Sequence, residues 1–205
     1  MKSLNIYEQK FKKYGASPKS LLWKNRGAAH QRFRQFWSEI DFNNKTVLDI
    51  GCGFGELGKF LLKRYEGVNY TGIDSVNEFI DIAKNQVPGG KFEAKDFNNL
   101  DYRTDIVIAS GVLNSNMGGT LENLEFRKKA IAKMFSLTRS VLAFNMLGGH
   151  PVPANDKESN IYYSDSLEIL EYCMSLTRRV ILRHHYNPKD FTIFLYKVKK
   201  IGEEV

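Results

Sequence analysis

Three aspartates and one glycine-rich run are the residues best suited to chemistry in this chain. The run is Val47-Leu48-Asp49-Ile50-Gly51-Cys52-Gly53-Phe54-Gly55-Glu56-Leu57. Gly51 and Gly53 carry no side chain, so a ligand can lie directly against the backbone there. A dinucleotide fingerprint would require glycine at position 56, where the chain has Glu56. Asp49, just before the turn, would also sit badly beside a diphosphate and suits a ligand with positive charge. Asp74 closes Tyr70-Thr71-Gly72-Ile73-Asp74-Ser75, 23 residues after Gly51. An acid at that distance can accept both hydroxyls of a ribose. Asp96, in Phe92-Glu93-Ala94-Lys95-Asp96-Phe97, is placed to accept from an adenine amino group, with Phe97 supplying its amide and ring edge.

These residues need strand ends to present them, and the apolar pattern supplies strands. Residues 46–50, 69–73, 91–94, 104–109 and 140–147 read as short strands. Stretches 56–65, 77–85, 121–136 and 165–175 read as helices. Strands that are continuously apolar and alternate with helices imply a parallel sheet covered on both faces. Asp49, Asp74 and Asp96 then fall at three successive strand ends, where ligands bind in open α/β sheets. Residues 179–185 and 191–198 are joined by Asn187-Pro188-Lys189-Asp190 and neighbours, too short a link for a parallel crossover, so the last strand must run antiparallel. Upstream, residues 5–14 and 20–40 read as two helices separated by a Gly15-Ala16-Ser17-Pro18 turn. The expected organisation is an N-terminal helical cap over 1–45 and a ligand-binding domain over 46–205.

Composition narrows the classes further. The chain has 205 residues, of which 42% are hydrophobic and 13% aromatic, enough for a buried core and unlike a disordered chain. No apolar run approaches a membrane span, and the first fifteen residues lack the apolar stretch of a signal peptide. Two cysteines, Cys52 and Cys173, make neither a disulfide framework nor a thiolate metal cage, which points to a reducing, cytoplasmic setting. The scattered histidines form no metal-ligand pattern. The net charge of +7 lies entirely in residues 1–46, which hold ten Lys or Arg against three acids. Such a segment is either a solvated helical face or a grip for phosphates. No nucleic-acid motif accompanies it.

In these motifs the chain resembles the class I S-adenosylmethionine-dependent methyltransferases, over nearly its full length from about residue 20. The likeness rests on Asp49-x-Gly51-x-Gly53-x-Gly55, Asp74, Asp96-Phe97 and Asp105-Ile106-Val107-Ile108-Ala109-Ser110-Gly111, in that order. Tyr14-Gly15-x-Ser17-Pro18-Lys19, Trp23 and Ala143-Phe144-Asn145-Met146-Leu147 resemble a group of small bacterial and archaeal members. The resemblance implies a Rossmann-like, doubly wound, seven-stranded sheet of order 3-2-1-4-5-7-6. It implies S-adenosylmethionine as cofactor and S-adenosylhomocysteine as product. It also implies a binding set of Trp23, Asp49, Gly51, Cys52, Gly53, Gly55, Asp74, Ser75, Asp96, Phe97 and Ser110.

The sulfonium already activates the methyl group, so the protein mainly aligns a nucleophile and excludes water. A base is needed only where the nucleophile must lose a proton. His150, in Gly148-Gly149-His150-Pro151, and Tyr162 and Tyr163 in the following loop are the catalytic candidates, with His184 and His185 behind them. The expected acceptor is a small molecule methylated on O, N or C, without a metal. The alternatives are an RNA methyltransferase that uses the basic segment and a non-catalytic cofactor-binding module. The Asn/Asp-Pro-Pro-Tyr/Phe motif of many exocyclic-amine methylating enzymes is missing; the fourth strand runs into Ser110-Gly111-Val112-Leu113-Asn114.

Overall fold

The computed structural model describes residues 2–23 and 26–198. Helix α1 (Lys2–Tyr14), a 3-10 turn (Pro18–Leu21) and α2 (Arg26–Trp37) precede the alternating part. That part runs β1 (Thr46–Ile50), α3 (Glu56–Arg64), β2 (Asn69–Asp74), α4 (Asn77–Gln86), β3 (Lys91–Ala94), β4 (Thr104–Ser110) and α5 (Thr120–Ser136). It continues through β5 (Thr138–Gly149), β6 (Ser164–Asp165), α6 (Ser166–Leu176), β7 (Val180–Arg183) and β8 (Asp190–Tyr196). The strands line up as β3-β2-β1-β4-β5-β8-β7, with the two-residue β6 on β5. Pairs from β3 to β5 are parallel, and β8 is antiparallel to both its neighbours. This is the expected order with one small strand added.

Side chains that alternate along each strand feed two cores. Leu48, Ile50, Val107, Leu142 and Phe144 face α5 and α6, where Ile131, Met134, Ile169 and Cys173 meet them. Val47, Ile106, Ile108, Val141 and Phe194 face the other way, against Phe33 and Phe36 of α2, Leu57 and Leu61 of α3, and Ile80 and Ala83 of α4. Both faces are covered, which is why the strands are apolar throughout.

Two expectations about elements are corrected. The helix expected over 20–40 is broken: Pro18–Leu21 is a 3-10 turn, Leu22 is left-handed (φ 58°), and α2 begins at Arg26. The cause is Ser20, which is buried and donates through Oγ to the Gly15 carbonyl at 2.6 Å, turning the chain back on α1. The stretch expected as a loop from Gly148 begins as strand, because Gly148 and Gly149 extend β5 and pair with Ser164 and Asp165.

Gly58 tests how tightly α3 sits on the sheet. In an exposed helix an alanine would be favoured over glycine by about 1 kcal/mol. Here a Cβ at Gly58 would fall 2.5 Å from Cε1 of the buried Tyr70. The overpacking outweighs the propensity gain, so Gly58→Ala is expected to destabilise the protein by about 1–3 kcal/mol in urea unfolding.

Candidate active site

The glycine turn after β1 is bound to β2 through its own amides. Gly51 and Cys52 both donate to the Ile73 carbonyl, at 2.8 and 3.0 Å, and Gly55 donates to the Cys52 carbonyl at 2.9 Å. Gly53 donates to Asp74 Oδ2 at 3.0 Å. Positive φ at Gly51, Gly53 and Gly55 (70°, 54° and 79°) makes this inward aim possible. With four of its five amides engaged inward, the turn offers little to cradle a diphosphate, in keeping with the departure from the dinucleotide fingerprint at Glu56. Val112 and Leu21 close over the turn: a Cβ at Gly51 would meet Val112 Cγ2 at 2.3 Å, and one at Gly53 would meet Leu21 Cδ2 at 3.0 Å.

The carboxylates are held apart in character. Asp74 also accepts from the Val76 amide at 3.1 Å. Burial raises its pKa, and the Val76, Gly53 and Ser75 amides oppose that rise. Two carboxylate oxygens have about four acceptor sites, so these amides leave room for a ribose hydroxyl. Asp49 is buried and accepts from the Tyr70 hydroxyl at 2.6 Å. Burial pushes its carboxyl up to about 7, Tyr70 opposes, and nearby Asp74 adds to the rise. Asp96 is exposed and caps a 3-10 turn at Phe97–Asn99, where Oδ1 accepts from the Asn98 amide and side chain, both at 2.9 Å.

The N-terminal segment lies over this turn. Phe11 packs on Phe54 and Phe79, with ring centroids 6.2 and 5.7 Å apart, and Tyr7 meets Phe79 edge-on at 6.4 Å. The Tyr7 hydroxyl is pushed up to about 12, first by burial and then by Asp74, with Arg32 opposing; α1 thus brings a phenol within electrostatic reach of both groups. Trp23 stands edge-on to Phe33, and its Nε1 lies 4.0 Å from where a Gly111 Cβ would be.

Beyond β4 and β5 lies a polar cluster that sequence reasoning missed. Arg32 Nε donates to Asp190 Oδ2 at 2.5 Å, and the Tyr186 hydroxyl donates to Asp190 Oδ1 at 2.7 Å. Burial raises the pKa of Asp190, chiefly opposed by Arg32. Arg32 Nη1 lies 3.5 Å from the Gly111 Cβ position, and neither Nη nitrogen has a hydrogen-bond partner among the described residues. Arg32 and Asp190 are 158 residues apart, and Asp190 reads locally as a turn residue, so no local signal joins them.

The other candidates are distributed unevenly. Cys52 is buried in the turn, and Ser75 is exposed just past Asp74. Ser110 Oγ donates to Asn145 Oδ1 at 2.8 Å and so belongs to the β4–β5 network. His150 is exposed, with Nδ1 3.2 Å from Asp165 Oδ2. Tyr162 lies over the guanidinium of Arg127, 4.9 Å from ring centroid to Cζ, and Tyr163 is held through its backbone by Asn155. Among the described residues, no cluster of three or more His, Cys, Asp or Glu could hold a metal ion, and no helix is long and apolar enough to cross a membrane.

Residues 22–124 match the model of a family described as a methyltransferase domain. A Mycobacterium tuberculosis protein named as a methyltransferase is 27% identical over 160 residues, covering 74% of this chain and 93% of its own length. The magnesium protoporphyrin IX methyltransferase of Synechocystis, with bound SAH, shares the fold at a TM-score of 0.61 and 16% identity, over 82% of this chain and 83% of that one. The plantazolicin methyltransferase, in complex with a triazolic desmethyl analog and SAH, also has a TM-score of 0.61, at 15% identity over 83% and 84% of the two chains.

The raised Asp49 pKa has a defined sign. The folded protein holds a proton between pH 4 and 7 that the unfolded chain releases, so this contribution is full below about pH 4 and lost as the pH rises to about 7. The unliganded protein should therefore lose on the order of 2–4 kcal/mol across that window relative to Asp49→Asn, which keeps the Tyr70 acceptor. Urea unfolding of both proteins at pH 4, 5.5, 7 and 8 measures the difference.

Proposed function

The chain belongs to the methyltransferase-domain family, as an S-adenosylmethionine-dependent enzyme, and from that premise we propose that its acceptor is a small molecule. The inward amides of the 51–55 turn carry the cofactor assignment within this site, because they favour a ligand without phosphates. The covered crevice supports the acceptor class: Leu21 lies over Gly53 and Trp23 beside Gly111, side chains that a bulky polymer would have to displace. The 1–45 segment is then a working cap. Buried, unpaired Cys52 and Cys173 suit a cytoplasmic enzyme.

When bound, the cofactor supplies a methyl group already activated by its sulfonium. The chain's own residues do the rest. Asp74 would accept the ribose hydroxyls, and Asp96, with Phe97, would hold the adenine. Arg32, held by Asp190, offers its Nη donors to the α-carboxylate of the methionine end, the pairing for which a guanidinium fork is shaped. Tyr7, Phe11, Leu21, Trp23 and Val112 exclude water from the reacting centre. Where the acceptor must lose a proton, His150 takes it. Asp165 holds the Nδ1 side, which leaves Nε2 free as the base.

Four measurements test this reading. Asp74→Ala should weaken S-adenosylhomocysteine binding about tenfold to a hundredfold in calorimetry. Arg32→Gln should weaken the same ligand by about tenfold or more while leaving 5′-methylthioadenosine, which lacks the amino-acid end, nearly unaffected; equal losses for both would remove Arg32 from the carboxylate. Radiolabelled cofactor incubated with cell extract should label a small product, and label in RNA would point instead to the basic segment. With a hydroxyl or carbon acceptor, His150→Ala should lower turnover about a hundredfold without changing cofactor affinity. A normal rate with an unchanged acidic limb would assign the proton elsewhere.

A further inference from the structure

Gly111 follows β4, and the space beside it is ringed by nitrogen. From where a Cβ would stand on Gly111, the three nearest heavy atoms beyond its chain neighbours are Arg32 Nη1 and Asn114 Nδ2, each at 3.5 Å, and Trp23 Nε1 at 4.0 Å. All three are hydrogen-bond donors. None has a hydrogen-bond partner among the described residues, and none is sealed from solvent. The Asn114 amide has one orientation only. Its Oδ1 accepts from the Leu147 amide at 2.8 Å, so Nδ2 is the end that faces Gly111. Asn114 is buried, and its carbonyl accepts from the Tyr162 amide at 2.9 Å, which leaves the side chain little freedom. Asp190, the carboxylate on Arg32, is already taken up by Arg32 Nε and the Tyr186 hydroxyl.

Donors with no free acceptor among them select a group that only accepts. These nitrogens carry more N–H bonds than one carbonyl or hydroxyl oxygen can take on its lone pairs. A carboxylate offers about four acceptor sites, and a charge to set against the guanidinium. Position along the sheet separates the two possible owners of that group, cofactor and acceptor. With adenine at the end of β3 and ribose at the end of β2, the methionine end extends toward β1, and the acceptor approaches from β4 and β5. Gly111 donates to the Asn145 carbonyl of β5 at 3.4 Å, and Asn114 is tied to Leu147 of the same strand. The guanidinium can serve both sides. A carboxylate on its outer edge takes one hydrogen from each Nη, and the second hydrogen of Nη1 remains. Resting on the cofactor reading above, we infer that the methyl acceptor is an organic acid, whose carboxylate is held by Arg32 Nη1, Asn114 Nδ2 and Trp23 Nε1. The held group is the handle and another atom of the acceptor is methylated. Asn114 selects for the acid, and Arg32 joins it to the cofactor.

The full-length protein, saturated with S-adenosylhomocysteine, tests this. The chain has two tryptophans, and Trp37 is occupied in a stack on Phe60, so Trp37→Phe assigns the Trp23 indole N–H signal in nitrogen-15-labelled protein. Acetate and benzoate should move that signal saturably. Acetamide and benzamide, alike in shape and uncharged, should not move it at equal concentration and ionic strength. Asn114→Asp keeps an acceptor for the Leu147 amide and replaces the donor with a negative charge, so it should weaken the carboxylates by about tenfold or more. No response to either carboxylate, an equal response to the amides, or unchanged carboxylate affinity in N114D would each overturn the inference. A Trp23 shift caused by S-adenosylhomocysteine itself that abolishes the carboxylate response would assign the donors to the cofactor and overturn it too. Failure of S-adenosylhomocysteine to bind at all would refute the cofactor reading, and this inference with it.

Discussion

The hydrogen bonds from the 51–55 turn to the end of β2 are the constraint on which the rest of the molecule is arranged. Because Gly51, Cys52 and Gly53 all donate toward Ile73 and Asp74, the turn cannot lift away from β2, and Asp74 cannot rotate out of the crevice. The same geometry demands glycine at positions of positive φ, where a side chain would also collide with Val112 or Leu21. Beneath the turn, Asp49 is enclosed with the Tyr70 hydroxyl as partner, and Tyr70 in turn occupies the space that Gly58 leaves open on α3. A ligand carrying positive charge meets this site with carboxyl groups already in position, at little reorganisation cost.

Helix α2 connects that turn to the far side of the sheet. Midway along it, Arg32 is bound to Asp190 at the beginning of β8. Just past its end, Glu39 pairs with Arg183 of β7 and accepts from the Tyr196 hydroxyl at 2.8 Å. Between them Phe36 packs edge-on against Phe194. The helix is therefore held by a polar contact at its middle, an apolar one near its C-terminal end and polar ones just beyond that end. The basic N-terminal quarter accordingly divides in function. Arg32 is held by Asp190 with its Nη1 beside Gly111, whereas Lys10, Lys13 and Lys19 gather around the Tyr14 ring at 5.3–5.6 Å.

Arg127 does for the loop after β4 what the glycine turn does for β1. It gathers α5, Ser115 and Tyr162 into one unit, with Asn123 accepting from it while donating to Asn116 Oδ1 at 3.0 Å. Tyr162, read from the sequence as a catalytic candidate, has its ring against this guanidinium. The loop 150–163 is thereby anchored at its C-terminal end, next to Asn114 and Leu147, whose amide donates to Asn114 Oδ1 at 2.8 Å.

Local pattern was sufficient for the sheet and the cofactor-side motif. Continuous apolar strands can only be buried on both faces, a short final link can only reverse direction, and glycines beside an aspartate at a strand end have few structural uses. Those properties belong to neighbouring residues, so the sequence alone determined them. The order of the strands followed from the resemblance to the family, whereas Asp49, Gly51, Gly53 and Asp74 were legible at their strand ends, as was the reversal of the last strand. The break at Leu22 was not, because it depends on Ser20 reaching back to Gly15 and Lys10 rather than on helical spacing. Nor were the Arg32–Asp190–Tyr186 cluster and the unpaired Arg127. An arginine on a helix and an aspartate in a turn read as surface residues until folding brings them 2.5 Å apart. Burial and pairing of charge depend on partners distant in the chain, and only the tertiary structure decides which partners those are.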